Sequence, residues 1–296
     1  MPRPRVAVPE ISLVVVTYEM ERELPRTLVS LSPDCQKHCP VGRCEVIVVD
    51  NGSSRPPREA DFAGLGLDLR VETMARPSSS PVPAVNHGLS LARAGLIGVM
   101  IDGARLASPG LLDACIRAAA RHPRAIVATP NYHLGPAPQY VSMHHGYDRA
   151  EEDRLLASID WPGGADRLFE IGTRIVQVPG EDNLRESNAL VMPKALWEEL
   201  GGYDAGFTSH GGGAANIDIF ERACALPGTQ LILIEGEATF HQVHGGVVSN
   251  AAGEIGATLK AVGAEYHRLR GRPMVRPRQT AWRFDSASGV LHRSGN

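Results

Sequence analysis

At 296 residues the chain has room for one large α/β domain or two small ones, and 43% apolar against 21% charged residues excludes wholesale disorder. A net charge of −3 excludes the broad positive field that draws nucleic acid. No apolar run approaches the roughly 18 residues of a spanning helix, which argues against a membrane-embedded synthase.

Met1-Pro2-Arg3-Pro4-Arg5 leads straight into a strand-like run, with no signal-peptide core, so residues 1–10 read as a disordered tail and the cytoplasm is the expected location. Ile11 to Thr17 is a continuous β-branched run of the kind buried on both faces of a parallel sheet. Leu24, Leu28 and Leu31 follow at helical spacing, and Glu45 to Asp50 forms a second buried strand ending in the turn Asn51-Gly52-Ser53-Ser54. Strand, helix and strand make a βαβ unit. The five cysteines include a cluster, Cys35, Cys39 and Cys44 with His38 among them. Its spacing matches no zinc motif, so a reduced loop is favoured over a zinc clip.

The alternation continues with a strand over Leu69–Thr73, a helix over Ala84–Ala94, a strand over Leu96–Ile101 and a helix from Pro109 to about Arg121. A strand over Ala125–Ala128 closes this half. The signal weakens from Asn131 to Gly180, apart from an amphipathic stretch near Glu151 to Ile159. Order returns with a strand over Asn188–Met192, helices over Pro193–Leu200 and Asn216–Ala225, two strands flanking Gly236, and a helix over Ala252–Arg270. The expected division is an N-terminal half over 11–130, built of this alternation, and a second half over 131–270, sharing one sheet. A solvated basic tail over 271–296 follows, able to meet an acidic membrane surface at the inner membrane face.

In open parallel sheets, ligands bind beyond the carboxyl ends of the strands. Three such ends carry polar groups: Thr17-Tyr18-Glu19, Asp50-Asn51-Gly52-Ser53 and Asp102-Gly103-Ala104-Arg105. Each aspartate alone reads as a turn cap or as a ligand group. Together the three tips favour a binding site. Neither a Walker loop, a dinucleotide glycine fingerprint nor a nucleophile elbow is present.

Leu13 to Tyr18, Glu45 to Ser54, Ala84-Val85-Asn86-His87-Gly88, Ile101 to Ala104, Leu200-Gly201-Gly202-Tyr203-Asp204 and Phe240 to Gly246 together resemble the family 2 glycosyltransferases. The resemblance implies a GT-A, Rossmann-type α/β fold with a mixed, mainly parallel sheet flanked by helices. It also implies inverting transfer of a sugar from a nucleoside-diphosphate donor, most often UDP, to a glycan, lipid-linked or small-molecule acceptor. On this resemblance residues 11–130 are the nucleotide-sugar-binding half and residues 131–270 the acceptor-binding half. Thr17, Tyr18 and Glu19 would line the base and ribose pocket, and Asp50 would bind the base. Ser53 and Arg76 would lie near the nucleotide, Asn86 would close the donor site, and Asp102 would stand first in the DxD motif. His244, with His241 as second choice, would bind Mn²⁺ or Mg²⁺ or the diphosphate.

Two positions depart from the family pattern. Ala104 replaces the second DxD carboxylate, which leaves Arg105 able to neutralise a leaving diphosphate. Asn216 stands where the family has its general base, so Glu186 or Asp218 is expected to serve. His133, His144, His145 and His210 are candidates to line an acceptor cleft. A nucleotidyltransferase and a catalytically degenerate nucleotide-sugar-binding protein are the alternative readings.

Overall fold

The computed structural model describes residues 8–176, 184–244 and 255–293; most of the expected N-terminal tail, and Gly245-Gly246 of the last motif, lie outside the described residues. The first half comprises β1 (Ile11–Thr17), α1 (Glu23–Leu31), β2 (Cys44–Asp50), β3 (Asp68–Thr73), α2 (Val82–Leu91), β4 (Leu96–Met100), β5 (Arg105–Ala107), α3 (Leu111–Ala119) and β6 (Ala125–Ala128). The stretch of weak signal holds β7 (Asn131–Leu134), α4 (Gln139–Ser142), α5 (Arg149–Ser158), α6 (Leu168–Ile171) and β8 (Gly172–Arg174). Then come β9 (Leu190–Pro193), α7 (Lys194–Leu200), α8 (Ala215–Ala225), β10 (Gln230–Glu235), β11 (Thr239–His241), α9 (Ile255–Arg270), β12 (Trp282–Asp285) and β13 (Leu291–His292).

The main sheet has nine strands in the order β13-β12-β10-β6-β9-β4-β1-β2-β3. Its pairings are parallel except where β9 runs antiparallel to β4 and β6, and where β13 closes a hairpin on β12. Every residue of β1 and β2 is buried, as continuous apolar runs require when helices cover both faces. Val14 and Val16 pack towards α2, α7 and α8 with Trp197, Ile219 and Phe220. Leu13 and Val15 pack towards α1 and α3 with Leu28 and Leu112. Burial of each such side chain is worth about 1.5–3 kcal/mol, which makes these two clusters the principal anchors of the sheet.

Register sets the site. Thr17 lies opposite Asp50, and Val15 lies opposite Met100, so the tips of β1, β2 and β4 end along one edge. A second sheet of four strands, β5-β11-β7-β8, stands beyond that edge. Within it His241 pairs with Arg105 on one side and with His133 on the other. A third apolar cluster, including Leu106, Leu134, Leu156 and Phe240, supports this sheet.

The expected solvated tail is corrected by the structure. Trp282 to Asp285 adds a parallel strand beside β10, and Leu291-His292 pairs with it. Phe284 is fully buried, and Arg283 binds Glu235 at 2.8 Å. Arg272 likewise pairs with Glu221, and Arg270 with Asp204 and Asp218. Much of the basic charge thus serves packing within the chain. In the cysteine cluster, Cys39 and Cys44 are buried with their sulfurs 2.8 Å apart, while His38 is exposed. Among the described residues, no third metal-binding side chain joins them. No helix among the described residues is long and apolar enough to cross a membrane.

Candidate active site

The tips of β1 and β2 are tied to each other. Asp50 is fully buried and accepts hydrogen bonds from the Gly52 amide at 3.1 Å, the Ser53 amide at 3.1 Å and the Ser53 hydroxyl at 2.5 Å. Ser53 Oγ in turn accepts from the Glu19 amide at 2.8 Å, and the Glu19 carboxylate accepts from the Ser54 amide at 2.7 Å. Glu19 holds a left-handed backbone, φ 52°, to make this contact. Asp50 is therefore a turn cap in this state, and its carboxylate braces the loop that carries Ser53. Thr17 is buried, while Tyr18 and Arg76 are exposed at the same edge. Asn51, outside the expected site list, clamps the Ser/Pro loop by donating to Ser78 O at 2.7 Å.

Asn86 lies on α2 and faces the Gly-Gly-Tyr loop. Its amide donates to Tyr203 O at 2.8 Å, and its oxygen accepts from Tyr203 N–H at 2.9 Å. Gly202 turns at φ 69°, and a β-carbon there would come within 2.5 Å of Asn86 Oδ1. The Gly-Gly-Tyr motif thus needs glycine because Asn86 fills the space. Asn86 braces that loop, where it was expected to close the donor site.

Beyond β4, Asp102 meets the second sheet. Asp102 Oδ1 accepts from Ala104 N–H at 2.8 Å, and Oδ2 lies 3.0 Å from His241 Nε2, 3.3 Å from Arg105 Nη2 and 3.8 Å from His244 Nε2. The two histidine Nε2 atoms are 3.1 Å apart. Burial works to raise the Asp102 pKa, but the Arg105 guanidinium and His241 hold it well below the usual carboxylate range. Burial lowers His241 to about 4 against the pull of Asp102. For His244 burial acts in the same direction, yet the Asp102 hydrogen bond and charge outweigh it and its pKa rises.

The histidine segment is fixed by its backbone. Gln242 N–H donates to Ala104 O at 2.8 Å, and Val243 N–H donates to the buried Glu152 at 2.6 Å. Ala104 is fully buried and supplies that anchoring carbonyl. Asp102, His241 and His244 gather three ligand atoms within 4.8 Å of one another. Ligands about 2.1 Å from an ion, at angles of about 90–110°, stand about 3.0–3.4 Å apart. The separations of 3.0, 3.1 and 3.8 Å fit such an ion with little movement. His241, ranked second from sequence, is thus brought into the group together with His244. Its partner Gln139 lies 102 residues away in the chain, where no sequence pattern marks it.

Arg105 is buried beside this cluster. Its Nη1 donates to Asn131 Oδ1 at 2.8 Å, and its buried Nε finds no acceptor among the described residues. Burial lowers its pKa, while Asp102 and the nearby Glu186 carboxylate support its charge. Glu186 is half-buried and accepts from Asn216 Nδ2 at 2.8 Å. Asn216 is itself held by the Tyr203 hydroxyl, which donates to its Oδ1 at 3.0 Å.

Asp218, the other expected base, is engaged in ion pairs. It is 1% exposed and accepts from Arg270 Nε at 2.5 Å, Arg270 Nη2 at 2.7 Å and Arg222 Nε at 2.8 Å. Two guanidiniums occupy both oxygens, so the group is a structural anchor of α8 against α9. Of the remaining histidines, His144, His145 and His210 are exposed, whereas His133 packs against His241 with ring centroids 5.1 Å apart.

The comparisons agree with this architecture. The model of glycosyl transferase family 2 matches residues 12–166, more than half of the chain. No curated protein matches the chain by sequence. Among solved structures, S. aureus TarS is similar at 14% identity with a TM-score of 0.54, over 87% of this chain and 40% of that one. S. aureus TarS 1-349 in complex with UDP-GlcNAc is similar at 13% identity with a TM-score of 0.57, over 87% of this chain and 66% of that one. The same TarS segment in complex with UDP gives 13% and 0.54, over 87% and 65%. The chain spans less than two thirds of the length of these neighbours, and likeness at such identity speaks for the shared fold. From the family match over residues 12–166, on a mixed α/β sheet of the same architecture, the chain belongs to glycosyl transferase family 2.

Proposed function

We propose that this chain transfers a sugar, with inversion, from a nucleoside-diphosphate donor, UDP in particular, to a hydroxyl of a glycan, lipid-linked or small-molecule acceptor. The observation that carries the reading is the meeting of two groups at one sheet edge. Asp102, His241 and His244 form a site for a divalent ion beside the buried Arg105, and Glu186 stands near that arginine. The TarS segment, similar in fold, is described in complex with UDP-GlcNAc and with UDP.

In this reading residues 11–130 carry the nucleotide sugar and residues 131–270 carry the acceptor. Thr17, Tyr18 and the Asp50–Ser53 loop receive the base and ribose. Donor binding draws on the Asp50 carboxylate and the Ser53 hydroxyl, which now satisfy each other. Asp102, His241 and His244 would hold a divalent ion such as Mn²⁺, which would supply positive charge to the diphosphate. Arg105 adds a guanidinium on the same side, with one N–H still unpaired.

Glu186 is the general base. Asn216 donates to Glu186 Oε2 and so turns the carboxylate, leaving Oε1 for an acceptor hydroxyl. The hydroxyl gives its proton to Glu186 as its oxygen bonds to the anomeric carbon. The bond from that carbon to the donor phosphate oxygen breaks, and its electron pair leaves with the nucleoside diphosphate. One displacement of this kind inverts the anomeric centre.

The test is a thermal-shift panel of UDP, GDP, dTDP and their sugars, with and without Mn²⁺, followed by nucleotide release. The expected result is stabilisation by one nucleotide class, UDP, and release of that nucleotide from its sugar. Failure of every nucleotide to raise the melting temperature would sink the proposal. Tight binding without release would favour a non-catalytic nucleotide-sugar-binding protein.

A further inference from the structure

Gln139 belongs to none of the sequence motifs, yet it controls the ring of His241. It is 1% exposed, at the start of α4. Its amide can stand only one way round. Nε2 lies 3.0 Å from the His241 carbonyl oxygen, which can only accept, so this atom is the NH₂ group. Oε1 then lies 2.6 Å from His241 Nδ1. An amide oxygen has no hydrogen to give, so Nδ1 is the donor. A neutral imidazole protonated at Nδ1 carries a lone pair at Nε2. That nitrogen stands 3.0 Å from Asp102 Oδ2 and 3.1 Å from His244 Nε2, so it is the ring atom that an ion in the cluster would take as ligand in place of a proton.

We infer that Gln139 is a positioning residue that fixes Nδ1 of His241 as a donor and so aims Nε2 into the cluster as the ligand atom, so that the site presents two imidazoles and one carboxylate and takes a transition-metal ion in preference to Mg²⁺ or Ca²⁺. The inference rests on the metal role proposed above and adds which residue prepares the site and which ions it accepts. Hard ions favour all-oxygen ligands, and imidazole favours the later divalent transition ions. A ligating histidine whose other nitrogen donates to a fixed acceptor keeps its tautomer and gains basicity. The backbone clamps on Gln242 and Val243, together with the Gln139 bond to the His241 carbonyl, hold the segment while Gln139 Oε1 orients the ring.

Two measurements on the full chain test this. In metal-free wild-type protein, nitrogen-15 shifts of the imidazoles identify the tautomers. His241 is expected to carry a proton on Nδ1, and a ring protonated at Nε2 alone overturns the inference. The second measurement titrates Co²⁺ alone against a chromophoric chelator. Wild type is expected to bind Co²⁺ and keep it against a roughly thousandfold excess of Mg²⁺. Gln139→Met, which removes the acceptor for Nδ1, is expected to weaken Co²⁺ binding about 10- to 100-fold. Gln139→Glu, which keeps an acceptor oxygen there, is expected to stay within about fivefold of wild type. Equal affinity in wild type and Gln139→Met, or displacement of Co²⁺ by comparable Mg²⁺, overturns the inference and leaves the metal role standing. Absence of Co²⁺ binding in wild type overturns that role as well. Should Gln139→Met not fold, the wild-type tautomer and the Mg²⁺ competition still decide.

Discussion

Replacing Glu186 by Gln is the sharpest test of the proposed chemistry. Gln has the same shape, and its oxygen still accepts from Asn216 Nδ2, a bond of 2.8 Å in wild type. The bracing is kept and only the capacity to take a proton is lost. General-base catalysis contributes about 10²–10⁴ in rate, so kcat should fall by that factor, or about 3–5 kcal/mol of barrier. The KM for the donor should change less than about threefold, because no donor contact is assigned to this residue. Released UDP, with water standing in for an unidentified acceptor, provides the assay. Asn216→Asp gives an orthogonal reading. It places a second carboxylate against Glu186, and a like-charge pair about 4 Å apart costs about 4 kcal/mol near a surface. Two carboxylates so close share a proton, so the acid limb of the pH–rate profile should move up by about one to three units. A Glu186→Gln enzyme with kcat within about threefold of wild type would refute the assignment, as would an Asn216→Asp profile that does not move.

Asp50→Asn removes charge from three hydrogen bonds of its turn, so the ligand-free protein should melt about 3–6 °C lower, and addition of UDP should no longer raise the melting temperature. Retention of the full UDP shift would show that this carboxylate only caps its loop. Asp218→Asn should cost about 3 kcal/mol in denaturant unfolding by leaving Arg222 and Arg270 underpaired, while kcat of the folded variant stays within about twofold. A large kcat loss at full occupancy of the folded state would restore Asp218 as a base. Glu45 is held below its ordinary pKa: burial raises it, but the Ser12 hydroxyl and Arg93 outweigh that. Its stabilisation is therefore complete above the unfolded value and is lost as pH falls through the lower folded one. Glu45→Gln should be less stable than wild type at pH 7, and the gap in unfolding midpoint should close below about pH 4.5; a gap independent of pH would contradict this.

The strands of the first half were legible because a strand buried on both faces must be apolar without interruption, as Val14-Val15-Val16 and Val46 to Val49 are. The loops were less so. Asn86 was given a donor-site role by the family resemblance alone, and its two bonds to Tyr203 cross 117 residues of chain, where no local pattern marks them. The last strands were hidden for another reason. Arg272, Arg276, Arg278 and Arg283 suggested a solvated tail, whereas Trp282, Phe284 and Leu291 supply an apolar edge that only the exposed flank of β10 gives a use. Asp218 and Glu186 could not be ranked from sequence, since the difference lies in Arg270, 52 residues further on.

The two departures from the family pattern answer each other in space. Ala104 lost its carboxylate, and its carbonyl now fixes Gln242, which places His241 opposite Arg105 and against Asp102. A ligand missing from the loop after β4 is thereby offered from β11. Asn216 lost its charge, and its amide now orients a carboxylate from the segment entering β9. In both cases the functional atom comes from a neighbouring element, and the altered residue becomes its support. An isolated loss of either carboxylate would leave a cation or a proton without a destination. Each departure is thus accompanied by a hydrogen-bonded group on a neighbouring element, which is what the proposed function uses. Gln139 buried against His241 and Tyr203 donating to Asn216 are the supports this proposal relies on, and the Gln139 and Asn216 variants test whether they serve more than packing.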